Sequence, residues 1–244
     1  MHETAMTLQP AKSRACDVPT FRGVGSRGRL SVLLVLATMS TMILVAVAIG
    51  KLLGRATGAD RSVEQFFVDH RTPMWNSVTH LFSQVADTTT VIVIGLVALV
   101  TGLLRKIRNG LIILAVGLIA EVLMFLAITA LVSRPRPDVV RLDGAPPTSS
   151  FPSGHTFATV VLWGSLAIVA VRAEWRQWLQ RIMLVLAFAV PLLVGLSRIY
   201  RGMHHPTDVV ASIVLGVLWL AVLVRLFPVR PPHRDQAVAV PRRD

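Results

Sequence analysis

Long apolar runs broken by short polar segments set the pattern of this chain. A helix needs about 20 apolar residues to cross the hydrocarbon of a bilayer. Six stretches reach or approach that length: 30–53, 88–104, 110–132, 153–171, 182–196 and 209–226. The fifth is short and can extend in either direction. Between the first two lies a segment of different rhythm, 60–87. There Val63, Phe66 and Phe67 recur at helical spacing, as do Val78, Leu81, Phe82 and Val85, which predicts one or two short amphipathic helices on the outer membrane surface. Trp75 falls where an interfacial aromatic anchor belongs. Asp60 is placed to cap the first of these helices by accepting from its exposed amides. The expected fold is all-α: a polytopic bundle of six transmembrane helices plus short amphipathic interfacial helices, with no internal repeat.

Composition narrows the class. Only 16% of the 244 residues are charged and the mean hydropathy is +0.63, against about 25% charged residues in an average soluble domain. The formal net charge of +12 would suit nucleic acid, but the basic residues gather at the ends of apolar runs, where they set membrane orientation. The bilayer is thus the expected partner and nucleic acid is not; the pattern specifies no oligomeric state. With the N-terminus inside, sixteen of the 25 Lys and Arg residues fall on one side. The positive-inside bias then places both termini in the cytoplasm of a plasma-membrane protein. Residues 1–28 and 228–244 are polar and are expected to be disordered cytoplasmic tails flanking a membrane domain of 29–227. The first apolar run is too long for a cleaved signal peptide. The one cysteine, Cys16, allows no intramolecular disulfide and no cysteine metal site.

Three polar clusters fall on the same expected outer side. Arg134-Pro135-Arg136-Pro137 follows the third run, Pro152-Ser153-Gly154-His155 opens the fourth, and Ser197, Arg198, His204 and Asp208 lead into the sixth. Arg136 and Arg198 carry planar forks of donors suited to phosphate oxygens, with a charge that does not titrate. Ser153 and Gly154 precede a helix whose first free amides can cradle an anion. Of the two histidines, one can attack phosphorus and the other protonate the departing oxygen. Asp208 can hold the His204 ring in the tautomer that leaves its other nitrogen free. Pro206 suits a first helical position, with His204 at the mouth of the sixth helix.

These residues resemble the type-2 phosphatidic-acid phosphatase superfamily, which includes bacterial acid phosphatases and vanadium haloperoxidases. The motif Pro-Ser-Gly-His stands whole at 152–155. Ser-Arg-x5-His-x3-Asp stands whole at Ser197, Arg198, His204 and Asp208, and Lys-x6-Arg-Pro ends at Arg136-Pro137. The six runs and the amphipathic segment resemble its lipid-phosphatase branch. The resemblance implies two steps: His204 forms a phosphohistidine while His155 protonates the leaving group, then His155 activates the water that releases phosphate. It implies no metal, no cofactor and a lipid phosphate as substrate: polyprenyl diphosphate, phosphatidate or phosphatidylglycerophosphate. One position departs, since Thr129 stands where the family has its phosphate-neutralising lysine. A charged hydrogen bond of that kind is worth roughly 1.5–3 kcal/mol, and Arg134 or Arg141 could replace it from another direction.

Plainer readings apply to other residues. His70, His80 and His205 read as solvated or capping histidines. Arg134, Arg141 and Arg201 read as orientation signals. Glu121, near the middle of the third run, is either a hydrogen-bonded packing residue or part of a lipid groove. Two functions compete with a lipid phosphatase. One is vanadate-dependent haloperoxidase chemistry, which the dominance of apolar spans disfavours. The other is a non-catalytic lipid-phosphate binding or transport protein, marked by Thr129.

Overall fold

The computed structural model describes residues 26–54, 57–144 and 146–228; Cys16, most of the first expected tail and nearly all of the second lie outside them. Eight α-helices and no strand are found among the described residues: α1 Ser26–Leu53, α2 Gly58–Asp69, α3 Pro73–Val85, α4 Thr88–Leu104, α5 Arg108–Leu131, α6 Gly154–Arg172, α7 Gln177–Tyr200 and α8 Pro206–Leu226. Helix α1 begins inside the expected tail, at Ser26.

Five helices, α1, α5, α6, α7 and α8, are long and apolar enough to cross a membrane. The fifth run lengthens at both ends into the 24-residue α7. The second does not stand alone as expected. At 17 residues, α4 spans roughly 25 Å, short of the ~30 Å hydrocarbon layer. It joins α3 across a two-residue break with a bend of 47°, and the pair together is long and apolar enough for a sixth, broken span. Asp87 caps α4, its carboxylate accepting from the amide of Thr89.

Helix α6 is the axis of the bundle, with α5, α7 and α8 packed around it and α1 applied to the outside of α5 and α8. Without a hydrophobic drive between helices inside lipid, close packing of small residues must hold such a bundle. A Cβ at Gly216 on α8 would lie 2.5 Å from Val160 Cγ1, and one at Gly195 on α7 would lie 2.6 Å from Val209 Cγ1. Trp219 is wholly buried and its indole donates to the Gly117 carbonyl at 3.2 Å. Leucines and valines on the outer faces of α1, α4, α7 and α8, such as Leu33, Leu96, Val185 and Val217, stay exposed, as lipid-facing side chains must.

The interfacial helices turn polar side chains toward the bundle. The buried residues of α2 are Asp60 and Glu64, and those of α3 are Thr79 and Ser83. Phe66, Trp75 and Leu81 face outward. Each helix turns its polar stripe inward because the neighbouring loops and helix ends offer charged partners, and it leaves its apolar stripe to the hydrocarbon. Asp60 also does not cap α2. Thr57 is the N-cap, accepting from Asp60 N, and Asp60 closes the reciprocal bond at the third position.

Overpacking the central crossing tests this arrangement. Gly216→Leu should destabilise the bundle by about 1–3 kcal/mol, read as a lower melting temperature of the detergent-solubilised protein. An unchanged melting temperature would mean that α6 and α8 are not in close contact.

Candidate active site

At one end of the bundle five elements converge: the end of α5, the start of α6, the end of α7, the start of α8, and the collar of α2 and α3. The 132–153 segment crosses between them, tied down by Ser150 N to Arg134 O (3.0 Å) and Leu142 N to Arg201 O (3.1 Å). Phe151, wholly buried and followed by a cis bond to Pro152, anchors its far end.

His204 sits in the turn between α7 and α8, just after Gly202, whose φ of +72° suits glycine. Its Nδ1 lies 2.7 Å from the Ser150 carbonyl. A carbonyl only accepts, so Nδ1 carries the hydrogen and Nε2 keeps the lone pair. Nε2 has no partner among the described residues. Asp208 stands 3.8 Å from Nδ1, a favourable charge and not a hydrogen bond. The tautomer is therefore held by the main chain, where the sequence had suggested the carboxylate. Burial holds His204 below its ordinary pKa against the pull of Asp208, which favours the neutral ring.

Asp208 is engaged elsewhere. One carboxylate oxygen accepts from Arg134, the other from Ser150 Oγ (2.5 Å) and His205 N (2.9 Å). Arg134 in turn donates to Thr207 Oγ1 (2.8 Å) and Asp60 Oδ2 (3.0 Å), and Asp60 accepts from Thr207 N at 3.1 Å. Burial would raise the Asp60 pKa, but its hydrogen bonds to Thr57 and Thr207 and the charge of Arg134 bring it below the ordinary value. Arg134 is thus no orientation signal and no replacement for the missing lysine; its charge is spent between two aspartates. Arg201 is likewise structural, paired with Asp143 and bonded to the Asn76 carbonyl at 3.0 Å. Only Arg141 stays exposed.

His205 is buried, contrary to the solvated reading, and serves as the N-cap residue of α8, with Pro206 following. Its Nδ1 is 2.6 Å from Glu64 Oε1 and its Nε2 is 3.1 Å from the Pro135 carbonyl. Both neighbours are acceptors, which suits a ring with two donors, the imidazolium. Burial pulls the His205 pKa down, but Glu64 and Asp208 outweigh it and the net shift is upward.

A cavity of about 990 Å³ opens in front of these groups. Arg136, Gly154, His155, Arg198 and His204 line its polar end. Arg136 donates to the Met203 carbonyl (2.7 Å), and Arg198 to Ser83 Oγ (2.5 Å) and Asp143 (3.0 Å). The Nε of each guanidinium is buried without a partner. The imidazole of His155, in the first turn of α6, makes no hydrogen bond among the described residues. A Cβ at Gly154 would meet the Phe125 ring at 2.9 Å. Ser153 is the N-cap of α6, but its hydroxyl pairs with Thr156 Oγ1 at 3.0 Å and lies behind the cavity wall. Thr129 lies outside the wall too, its hydroxyl buried without a partner. The apolar part of the cavity wall is formed by Val91, Ile92, Val122, Phe125, Leu126 and Ala158, with Glu121 among them.

The structure therefore brings His155, His204, Arg136, Arg198 and Gly154 to one cavity and sets Asp208 behind it. Sequence reasoning missed Asp60, Glu64, Ser83, Asp143 and Ser150. Asp60 and Glu64 did leave a signal, being acids four apart and so neighbours on one side of a helix, beside its apolar positions.

Comparison with known proteins follows the same helices. The sequence profile of the PAP2 superfamily matches residues 110–232. Phosphatidylglycerophosphatase B of Bacillus subtilis is 29% identical over 168 residues, 66% of this chain and 79% of that protein. The undecaprenyl-diphosphatase of Sulfolobus acidocaldarius is 34% identical over 82 residues, covering 34% and 35% of the two chains. The crystal structure of the transmembrane PAP2 type phosphatidylglycerolphosphate phosphatase from Bacillus subtilis shares the fold with a TM-score of 0.62 at 24% identity, over 77% of this chain and 94% of that one.

The Glu64–His205 pair gives a pH-dependent test. A histidine whose pKa is raised on folding contributes stability that is full below its unfolded value, 6.5, and is lost as pH rises through the folded value. Glu64→Gln should cost about 1.5–3 kcal/mol at mildly acidic pH and progressively less at alkaline pH, followed by thermal unfolding in detergent across that range. A pH-independent cost would show that the pair contributes packing alone.

Proposed function

Because the chain belongs to the PAP2 superfamily and is a multi-pass membrane protein, we propose that it is a lipid phosphatase acting without a metal through a phosphohistidine at His204. One observation carries this reading. A neutral imidazole with its free Nε2 shares a cavity with an unengaged His155 and with two arginines whose Nε groups lack partners. Arg136, Arg198 and the first amides of α6 at Gly154 would hold the phosphoryl oxygens. Nε2 of His204 would attack phosphorus as the bond to the leaving oxygen breaks, and His155 would give that oxygen its proton. Water would then attack the phosphohistidine, with His155 taking the proton back, and inorganic phosphate would leave. Asp208 acts as a positioning residue, fixing Arg134, Ser150 and the His205 amide so that the Ser150 carbonyl holds His204.

The apolar end of the cavity suits a lipid tail. The names of the relatives direct the choice of substrates to phosphatidylglycerophosphate and polyprenyl diphosphate, with phosphatidate beside them. By the distribution of basic residues the site faces the extracytoplasmic side of the plasma membrane and both termini face the cytoplasm. A non-catalytic lipid-phosphate binder is the competing reading, favoured by Thr129, which leaves the cavity without the family's lysine.

Phosphate release by the detergent-solubilised protein, with a metal chelator present, separates the two. The wild type should hydrolyse at least one of these lipids. His204→Ala should lose about 10³-fold or more in kcat, and Arg198→Ala about 10²-fold. An acid-labile, base-stable phosphohistidine should be trapped in the wild type and be absent from His204→Ala. Lipid binding without release, unchanged in His204→Ala, would favour the binder.

A further inference from the structure

Glu121 is the titratable group that neither the fold nor the chemistry above uses. It sits in the third apolar run, on α5, and only 3% of it is exposed. It makes no hydrogen bond or ion pair among the described residues. An acid left in that condition inside a span is costly, yet its carboxyl group lines the cavity that holds His155 and His204. The cost is recovered when something entering the cavity supplies a hydrogen-bonding partner.

Depth identifies that partner. Phe125 abuts Gly154, the first residue of α6, at the level where the phosphate would sit. Glu121 is four residues earlier on α5, one turn and roughly 6 Å deeper. Ala158, four residues beyond Gly154 on the antiparallel α6, lines the cavity at the same depth. In a glycerophospholipid the first ester carbonyl lies about six bonds beyond phosphorus, a reach of roughly 6–7 Å at ordinary bond lengths. A polyprenyl diphosphate presents only hydrocarbon there. A carboxyl group can donate to an ester carbonyl, and it gains nothing from an isoprenoid chain.

We propose that Glu121 is a specificity-determining residue whose carboxyl group hydrogen-bonds the ester region of the substrate, selecting a diacylglycerol phosphate over a polyprenyl diphosphate. This rests on the phosphatase reading and narrows its substrate class.

The test measures kcat/KM for dioleoyl phosphatidate and for farnesyl diphosphate in the same mixed micelles, with the wild type, Glu121→Gln and Glu121→Leu. A site built to pair a polar group discriminates strongly once that pairing is lost. Glu121→Leu should therefore lower the phosphatidate-to-farnesyl ratio about tenfold or more, chiefly through KM. Glu121→Gln, which keeps a donor and the shape, should hold the ratio within about threefold. Farnesyl diphosphate turnover in each variant reports whether the chemical site survives. Equal losses on both substrates in Glu121→Leu, or an unmoved ratio, would overturn the assignment and leave the phosphatase reading standing. A wild type that releases phosphate from neither lipid would overturn both.

Discussion

Everything at the cavity end of this bundle is built on one buried ion cluster, Arg134 held between Asp208 and Asp60. The side chains of all three are essentially withdrawn from solvent. Charges so placed are tolerable only when every lone pair and every proton finds a partner. Thr57, Thr207, Ser150 and the His205 amide supply the remaining hydrogen bonds to the two carboxylates. The cluster therefore locks three segments distant in sequence: α2, the strap after α5, and the first turn of α8. It does so with directional bonds, which hold geometry more tightly than apolar packing could at a helix end facing a wet cavity.

The His204 ring is positioned by consequence. Asp208 fixes Ser150, and the carbonyl of Ser150 fixes His204. Routing the restraint through the main chain leaves the carboxylate free to neutralise Arg134, and it keeps the imidazole uncharged under burial. The two cavity-lining arginines follow a related logic. Arg136 is held by a backbone carbonyl, and Arg198 by Ser83 of the collar and Asp143 of the strap. Part of each fork is used to orient the group and part is kept for a ligand.

The cavity then divides by depth as a bilayer does. Charged donors cluster where helix ends and strap meet the surface, and valine, isoleucine, leucine and phenylalanine take over below. The break between α3 and α4 serves this division, because the bent pair places Ser83 and Gln84 beside the polar end and Val91 and Ile92 beside the apolar end of one cavity. Glu121 is the exception to the gradient, a polar group set in the apolar half.

The apolar runs determined the helices by themselves, because no other way of satisfying the backbone exists in hydrocarbon. The spacing of Pro152 to His155 and of Arg198, His204 and Asp208 likewise marked the chemistry, since those residue types have few other uses together at helix ends. What only the tertiary structure decided were matters of partnership. Residues 88–104 read as a whole span because hydropathy counts residues and cannot see a bend. The apolar stripes of α2 and α3 marked two amphipathic helices, but not that their polar sides would close on buried charge. Arg134 and Arg201 looked like neighbours of a bilayer until Asp60 and Asp143 stood beside them, and His205, read as a solvated or capping ring, is the N-cap residue of α8 but buried against Glu64. Periodicity along a chain reports which residues share a face; which face meets another depends on contacts between segments far apart in sequence, and those exist only in the folded molecule.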